Sequence, residues 1–168
     1  MRDRILDINP SAAVEIHQAF FSADSADLLT PDLSYVIDAI DTVASKIELI
    51  INAKRMNIPI ISSMGTGNKL DPARLEIADI YDTSVCPLAR VMRRELRKRG
   101  VDFLKVVYSQ EEALVPKSIE ENESRETGCY ASGSTCRPAP GSISFVPSCA
   151  GLLLASQVVK ELAAADSI

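Results

Sequence analysis

Short apolar runs alternate along the chain with longer segments in which apolar residues recur at helical spacing. Residues 35–37, 58–61 and 103–108 have the length and apolar content of buried strands, and residues 74–78 predict a further strand. Residues 13–17 alternate apolar and polar side chains, which is typical of a strand with one buried face. The pattern therefore predicts a series of strands, most of them separated by helices.

One strong helical pattern follows residue 41. Its predicted buried face comprises Val43, Ile47, Ile50 and Ile51. Asp41 is a suitable N-cap for this helix, because its carboxylate can accept hydrogen bonds from the unpaired amides of the first turn. Asn57 is predicted to end the helix just before the next strand.

A second strong pattern begins at Pro87, a residue that favours the first turn of a helix, and ends at Gly100. Its predicted inward-facing residues are Leu88, Val91, Met92 and Leu96. Residues 2–8 predict a helix that stops at an Asn-Pro pair, and residues 24–29 predict a short helix or turn. A closing helix is predicted over residues 148–164.

Strands separated by helices imply an α/β domain with a mainly parallel sheet and helices on both faces. Ligands of such folds bind beyond the carboxyl ends of the strands, which places residues 38–41 and 62–68 at the expected site. We predict one domain over residues 1–168. Residues 111–140 lack apolar periodicity and are rich in Glu, Ser, Gly and Pro, so we predict a flexible loop there.

Composition and charge limit the kind of protein. A net charge of −5 and a pI near 4.9 argue against a general nucleic-acid coat, although both are compatible with a local basic patch. Four cysteines are too few and too scattered for a disulfide scaffold. The first residues are charged, unlike a secretory segment, and no apolar run approaches the roughly 20 residues of a spanning helix. We therefore expect a cytoplasmic protein without a membrane span.

Two of the cysteines, Cys129 and Cys136, fall in the predicted loop. Zinc sites use four ligands at recognised spacings, whereas this pair is separated by six residues and has no histidine nearby. We therefore expect no zinc site here. A surface thiol without an assigned role is the simplest interpretation of each cysteine.

Three stretches together resemble the ThiF/MoeB/HesA activating-enzyme family, and within it the tRNA threonylcarbamoyladenosine dehydratase branch. They are residues 35–41 (YVIDAID), 58–72 (IPIISSMGTGNKLDP), and 82–89 (DTSVCPLA) leading into 93–97 (RRELR). Their order and spacing match as well as their content, and the resemblance extends from the first residues to the terminal helix. It implies a Rossmann-like activating-enzyme fold and a homodimer.

Members of this family adenylate a carboxyl group with Mg-ATP and release pyrophosphate. The branch acts on the threonylcarbamoyl group of an adenosine beside the tRNA anticodon, whose activated carboxyl then cyclises with overall loss of water. The resemblance thus implies ATP and Mg²⁺ as cofactors and tRNA as a partner. Asp41 matches the family aspartate that helps to hold the metal and triphosphate, and Asp38 is a second candidate. Their structural alternatives are a helix cap and a strand-end carboxylate, respectively.

The resemblance also gives candidate roles to a cysteine and to the helix after Pro87. Cys129 is a candidate nucleophile, because some relatives link a loop cysteine covalently to a carrier protein. The helix carries six basic residues, Arg90, Arg93, Arg94, Arg97, Lys98 and Arg99. The candidates for tRNA binding are Arg93, Arg94, Arg97 and Lys98, because basic side chains contact phosphates without reading sequence. The alternative is a solvated face that complements the helix dipole.

The chain departs from the family at one important feature. The glycine loop that cradles phosphate, with an arginine, an asparagine and a lysine, belongs to a region before the matching stretches and is not among the 168 residues. We therefore expect a truncated fold that is inactive as this isolated chain. The alternatives are a non-catalytic interaction or dimerisation domain and an adenylyltransferase for a sulfur-carrier protein. The basic helix and residues 64–69 favour the tRNA branch over the carrier branch.

Overall fold

The computed structural model describes residues 1–115 and 140–165. Within them, four strands form one sheet: β1 (Val36–Asp38), β2 (Ile60–Ser63), β3 (Leu75–Asp79) and β4 (Lys105–Ser109). The α-helices are α1 (Arg2–Ile8), α2 (Val43–Arg55), α3 (Pro87–Lys98) and α4 (Phe145–Ala165). Short 3-10 turns span Ala23–Leu28, Pro72–Arg74 and Ile80–Asp82.

The sheet has the strand order β1-β2-β4-β3. β1, β2 and β4 run parallel, with Val36 opposite Ile60 and Ser62 opposite Val106, whereas β3 pairs antiparallel with β4. The carboxyl ends of the three parallel strands therefore meet at one edge of the sheet. This mainly parallel arrangement confirms the predicted α/β fold class.

Apolar side chains cover both faces of the sheet. On one face, α2 and α3 contribute fully buried residues to the core, namely Ile50, Ala53, Met92 and Leu96. On the other face, α4 contributes a row of residues four positions apart, namely Val146, Ala150, Leu154 and Val158. They pack against Ile61 of β2 and Val107 of β4. Because β2 and β4 are covered on both sides, each contains consecutive buried apolar residues, Ile60 and Ile61 in β2 and Val106 and Val107 in β4, rather than an alternating pattern.

Helix α4 is long and apolar enough, by length and composition alone, to cross a membrane. In this structure one of its sides packs on the sheet, while Leu152 and Val159 are exposed. Glu161 near its end accepts a hydrogen bond of 2.9 Å from the Tyr35 hydroxyl and pairs with Lys105 of β4. These contacts tie one side of α4 to the sheet.

Two local predictions are wrong. Residues 13–17 are not a strand, and Ile16 is 57% exposed, because no strand of the described sheet lies beside this segment to pair with it. Val91 was predicted to face inward but is 37% exposed. It is turned by about 100° around the helix from the buried Met92, which places it outside the apolar stripe.

Candidate functional site

A cleft of about 820 Å³ lies at the carboxyl ends of the parallel strands. It is lined by residues 39–41 after β1, residues 63–69 after β2 and residues 86–88 at the start of α3. Residues 140–142 and the first turns of α4 form the opposite wall. The fold thus brings together the two segments that were predicted to form the ligand site.

Beneath the cleft lies a buried ion pair between Asp38 and Lys46, both fully inaccessible to solvent. The Lys46 Nζ is 2.7 Å from Asp38 Oδ2, and it also donates to Ser62 Oγ at 3.2 Å and to the Ser63 carbonyl oxygen at 2.9 Å. The Ser62 hydroxyl donates to the same carboxylate oxygen at 2.5 Å. Burial lowers the pKa of Lys46, and the nearby Asp38 carboxylate opposes that shift. The network joins the ends of β1 and β2 to α2.

Lys46 was not identified from the sequence. The available signal was a lysine within an apolar stripe, since Lys46 lies three residues after Val43 and four before Ile50 on the inward side of α2. A charged residue in that position needs a buried partner. Asp38 is that partner, eight residues earlier in the chain.

The two candidate aspartates therefore occupy different environments. Asp38 uses Oδ2 for Lys46 and Ser62, and its Oδ1 accepts a hydrogen bond of 3.0 Å from the Ile40 amide. This matches its alternative interpretation as a structural carboxylate at the strand end. Asp41 lines the cleft, is exposed, and has no hydrogen-bond or ion-pair partner among the described residues. Any direct contact with a ligand by this pair thus depends on Asp41.

The predicted capping role of Asp41 is wrong. Helix α2 begins at Val43, its N-cap is Thr42, and no side chain caps the first turn. Asp41 lies one residue before this N-cap, outside the position whose side chain would cap the helix. The Asp41 carboxylate is therefore available to the cleft.

The loop after β2 is anchored by two charged residues. Lys69 is 3% exposed and donates to the Glu111 carbonyl oxygen and, at 3.4 Å, to that of Ser109. The Glu111 carboxylate accepts from the amides of Leu70 at 3.0 Å and Asp71 at 2.9 Å, and these hydrogen bonds lower the pKa of Glu111. Glu111 was placed in the predicted flexible loop; it is instead a buried anchor at the end of β4. Residues 116–139 of that loop lie outside the described part of the chain.

The same loop contacts the segment before α4. Asn68 has a left-handed backbone with φ of 57°, and its Oδ1 accepts from the Gly141 amide at 2.6 Å. The Asn68 amide donates to the Gly141 carbonyl oxygen at 2.8 Å. At Gly67 an added Cβ would lie 2.9 Å from Cβ of Pro140. The two walls of the cleft therefore approach each other too closely for any larger residue at position 67.

The basic residues of α3 divide into two groups. Arg93 donates to the Thr83 carbonyl oxygen at 2.7 Å, and the Arg97 guanidinium lies 5.0 Å from the centre of the Tyr81 ring. Both therefore have intramolecular roles. Glu95 is contacted by Arg94 at 3.2 Å, Lys98 at 3.1 Å and Arg99 at 2.8 Å. These partners lower the pKa of Glu95 to about 2, with the hydrogen bond from Arg99 as the largest cause.

The cysteines offer little chemistry within the described residues. Cys86 is buried at the start of α3 and Cys149 is half-buried in α4. Cys129 and Cys136 lie outside the described residues. Residues 1–115 and 140–165 contain no group of three or more His, Cys, Asp or Glu side chains that could hold a metal ion.

Comparisons with known proteins give consistent results. No protein-family model matches the chain. The chain is 40% identical over 165 residues to the tRNA threonylcarbamoyladenosine dehydratase of Bacillus subtilis, which covers 96% of this chain and 64% of that protein. It is 35% identical over 130 residues to the enzyme of that name from Escherichia coli, which covers 70% and 47% of the two sequences.

Solved structures show the same similarity. The Escherichia coli tRNA N6-threonylcarbamoyladenosine dehydratase, TcdA, in complex with AMP has a TM-score of 0.81 at 26% identity, covering 99% of this chain and 63% of that one. The same enzyme in complex with ATP has a TM-score of 0.79. The chain thus spans slightly less than two thirds of the length of these relatives. The resemblance to tRNA threonylcarbamoyladenosine dehydratases and the Rossmann-like fold that it implied are confirmed.

Proposed function

We propose that this chain, which is similar over nearly its whole length to tRNA threonylcarbamoyladenosine dehydratases, supplies the ligand cleft of an ATP-dependent enzyme of that kind. A carboxylate oxygen of the threonylcarbamoyl group attacks the α-phosphorus of ATP, and pyrophosphate leaves. An internal nucleophile of the same group then displaces AMP and closes a ring. The net change in the modified adenosine is the loss of one water molecule.

The observation that carries this proposal is the cleft with Asp41 exposed in it. Its volume of about 820 Å³ falls in the range of roughly 300–1,000 Å³ typical of small-molecule sites. Its position beyond the carboxyl ends of parallel strands is where such folds bind ligands. Apolar side chains of Ile40, Met64 and Leu88 line it beside the carboxylate. It therefore offers both apolar contact area and one charged group.

Asp41 fits a Mg²⁺ ion only in combination with a nucleotide. Mg²⁺ is usually bound by one or two carboxylates together with substrate phosphates and water, rather than by a cage of protein ligands. In the described cleft, Asp41 is the carboxylate that could take this part. Bound there, the ion would stabilise negative charge on the phosphates. Asp41 would hold it, and Asp38 would act only by fixing the turn before Asp41.

The 168-residue chain alone is expected to bind Mg-ATP weakly and to show no measurable pyrophosphate exchange. Backbone amides of a glycine loop between a strand and a helix supply most of a phosphate cradle, and residues 1–115 and 140–165 contain no such loop that opens a helix. Tight ATP binding by the isolated chain that is lost in Asp41→Ala would contradict this expectation.

A chimaera tests the proposal directly. In it, this chain replaces the matching 165-residue region of the Bacillus subtilis relative. We expect ATP–pyrophosphate exchange that requires tRNA bearing threonylcarbamoyladenosine. Asp41→Asn should abolish the exchange, whereas Asp102→Asn, an exposed carboxylate outside the cleft, should leave it unchanged. A folded chimaera whose exchange survives Asp41→Asn would remove Asp41 from the nucleotide site.

Location and assembly are further parts of the proposal. We place the protein in the cytoplasm, where tRNA substrates are found, and propose that it pairs with a second copy of itself. The support for pairing is the family resemblance, which implies a homodimer; Phe20, at 87% exposure, and Leu152, at 70%, are apolar side chains available to such a contact. Sedimentation equilibrium would show a dimer, and a monomer at micromolar concentration would contradict it.

A further inference from the structure

Helix α3 connects the cleft to a strongly basic surface. Its first residues, at positions 86–88, line the cleft, and its later turns carry the six basic side chains. From Leu88 to Lys98 the helix rises about 15 Å, at about 1.5 Å per residue. A second, open groove of about 400 Å³ runs over this part of the helix and is lined only by basic residues. The groove therefore begins within a turn of the cleft.

The structure separates the basic residues that contact other elements of the fold from those that do not. Arg93 is half-buried against Thr83, and Arg97 lies over the Tyr81 ring. Three others, Arg90, Arg94 and Lys98, are spaced four residues apart and so form one row along the helix. Arg94 and Lys98 contact Glu95 of the same helix but remain 69% and 60% exposed, and Arg90 is also exposed.

We propose that this row, the α3 basic row of Arg90, Arg94 and Lys98, binds the sugar–phosphate backbone of the tRNA whose modified nucleoside enters the cleft. This inference rests on the proposed function. It changes the candidate set predicted from sequence, because Arg93 and Arg97 contact Thr83 and Tyr81 outside the helix, whereas Arg94 and Lys98 pair with Glu95 of the same helix and Arg90 has no side-chain partner among the described residues.

The chemistry of the row favours a phosphate backbone over bases. The described groove is lined by arginine and lysine only, and the nearby Tyr81 ring is already covered by Arg97. Basic side chains without free aromatic rings position a nucleic acid but do not stack its bases. The net charge of the chain is −5, so the row is a local positive site on an acidic protein. Such a site orients an RNA without attracting nucleic acid over the whole surface.

Glu95 reduces the positive charge that this row offers to phosphate. Its carboxylate is contacted by Arg94 and Lys98, and it competes with phosphate for both of them. Its pKa of about 2 keeps it ionised at all physiological pH values. Removing its charge therefore should strengthen RNA binding, which is the opposite of the effect of a damaged fold.

Fluorescence anisotropy with labelled tRNA over a salt series tests the inference on the full 168-residue chain. The triple variant Arg90→Ala, Arg94→Ala, Lys98→Ala should lose on the order of 100-fold in affinity at 0.1 M salt. Its slope of log K against log salt should shrink by about 2 to 3, since each phosphate contact contributes about 0.7–0.9 to that slope. Glu95→Gln should raise affinity by up to about tenfold, because it removes one competing charge.

A charge-matched control distinguishes the loss of this row from a general change in net charge. The variant Arg4→Ala, Arg74→Ala, Lys160→Ala removes three exposed basic side chains elsewhere and should change affinity by less than about threefold. Equal affinity and slope in the row variant and the wild type would overturn the inference and leave the adenylation proposal intact. A chimaera that binds tRNA normally but shows no pyrophosphate exchange would contradict the adenylation proposal and leave this inference intact.

Two further outcomes also decide the question. A wild-type chain that fails to bind tRNA even at 50 mM salt would overturn the inference. Binding of a polyglutamate peptide, but not of tRNA, by the row would overturn it in favour of an acidic protein partner. Circular dichroism melts of each variant show whether the fold is retained, so that loss of binding by unfolding is recognised.

Discussion

The buried ion pair beneath the cleft gives a stability prediction that can be worked from its geometry. Lys46→Met retains the apolar stem but removes the ammonium group 2.7 Å from Asp38, which is 0% exposed. Removing one partner of a buried pair leaves an uncompensated charge and costs about 3–5 kcal/mol. For a domain of this size, that corresponds to a melting temperature lower by about 6–20 °C.

Urea unfolding followed by circular dichroism at pH 7 measures the cost. The matched control is Lys98→Met, since Lys98 pairs with Glu95 at 3.1 Å but is 60% exposed. An exposed pair contributes about 0–1 kcal/mol, so the control should change stability little. The double variant Asp38→Asn, Lys46→Met leaves neither charge of the pair and should recover a large part of the loss. A cost at pH 7 no larger than that of Lys98→Met would refute the role given to the buried pair.

Three other predictions concern the cleft loop and α3. Gly67→Ala should destabilise the fold by about 1–3 kcal/mol through its clash with the opposite wall, whereas Gly151→Ala, with no atom within 4 Å, should stabilise α4 by about 0.5–1 kcal/mol in thermal melts. Because amide hydrogen bonds lower the pKa of Glu111, its stabilisation is present above pH 4.5 and is lost as pH falls through the lowered value; Glu111→Gln should flatten that part of the stability–pH curve. Arg93→Ala should cost about 1–3 kcal/mol in urea unfolding, while Arg90→Ala should change stability by less than about 0.5 kcal/mol. Equal stability changes for Gly67→Ala and Gly151→Ala would contradict the close contact at Gly67, and equal changes for Arg93→Ala and Arg90→Ala would contradict the role of the Arg93–Thr83 hydrogen bond. A stability–pH curve unchanged by Glu111→Gln would contradict the stabilising role of the Glu111 carboxylate.

The main elements of the fold were predictable because their sequence patterns and their burial agree. The run at residues 58–61 is apolar since β2 is covered on both faces, and helical spacing identified α2 and α3. Asn57 and Gly100 were predicted to end these helices, and both adopt the left-handed backbone, with φ of 56° and 71°. The segment at 13–17 failed because alternation specifies a strand only where a partner strand is present.

The site was less predictable than the fold, because its key contacts join residues distant in sequence. The position of Asp41 in the cleft followed from the strand-end rule. The apolar stripe of α2 signals that Lys46 is buried, but its pairing with Asp38 depends on how α2 crosses the sheet. The anchoring of Lys69 by the Glu111 carbonyl spans more than forty residues, and Glu111 falls in a segment predicted to be a flexible loop. Charge alone identified the basic helix but did not show which of its residues have internal partners.

The most direct test of the proposed function is mass spectrometry of nucleosides from tRNA incubated with the chimaera and ATP. We expect threonylcarbamoyladenosine to be converted to a product lighter by one water, and we expect this conversion to require both ATP and Asp41. A folded chimaera that binds tRNA and ATP but leaves the nucleoside unchanged would contradict it. Equal conversion by the Asp41→Asn variant would contradict the proposed role of Asp41 in the cleft.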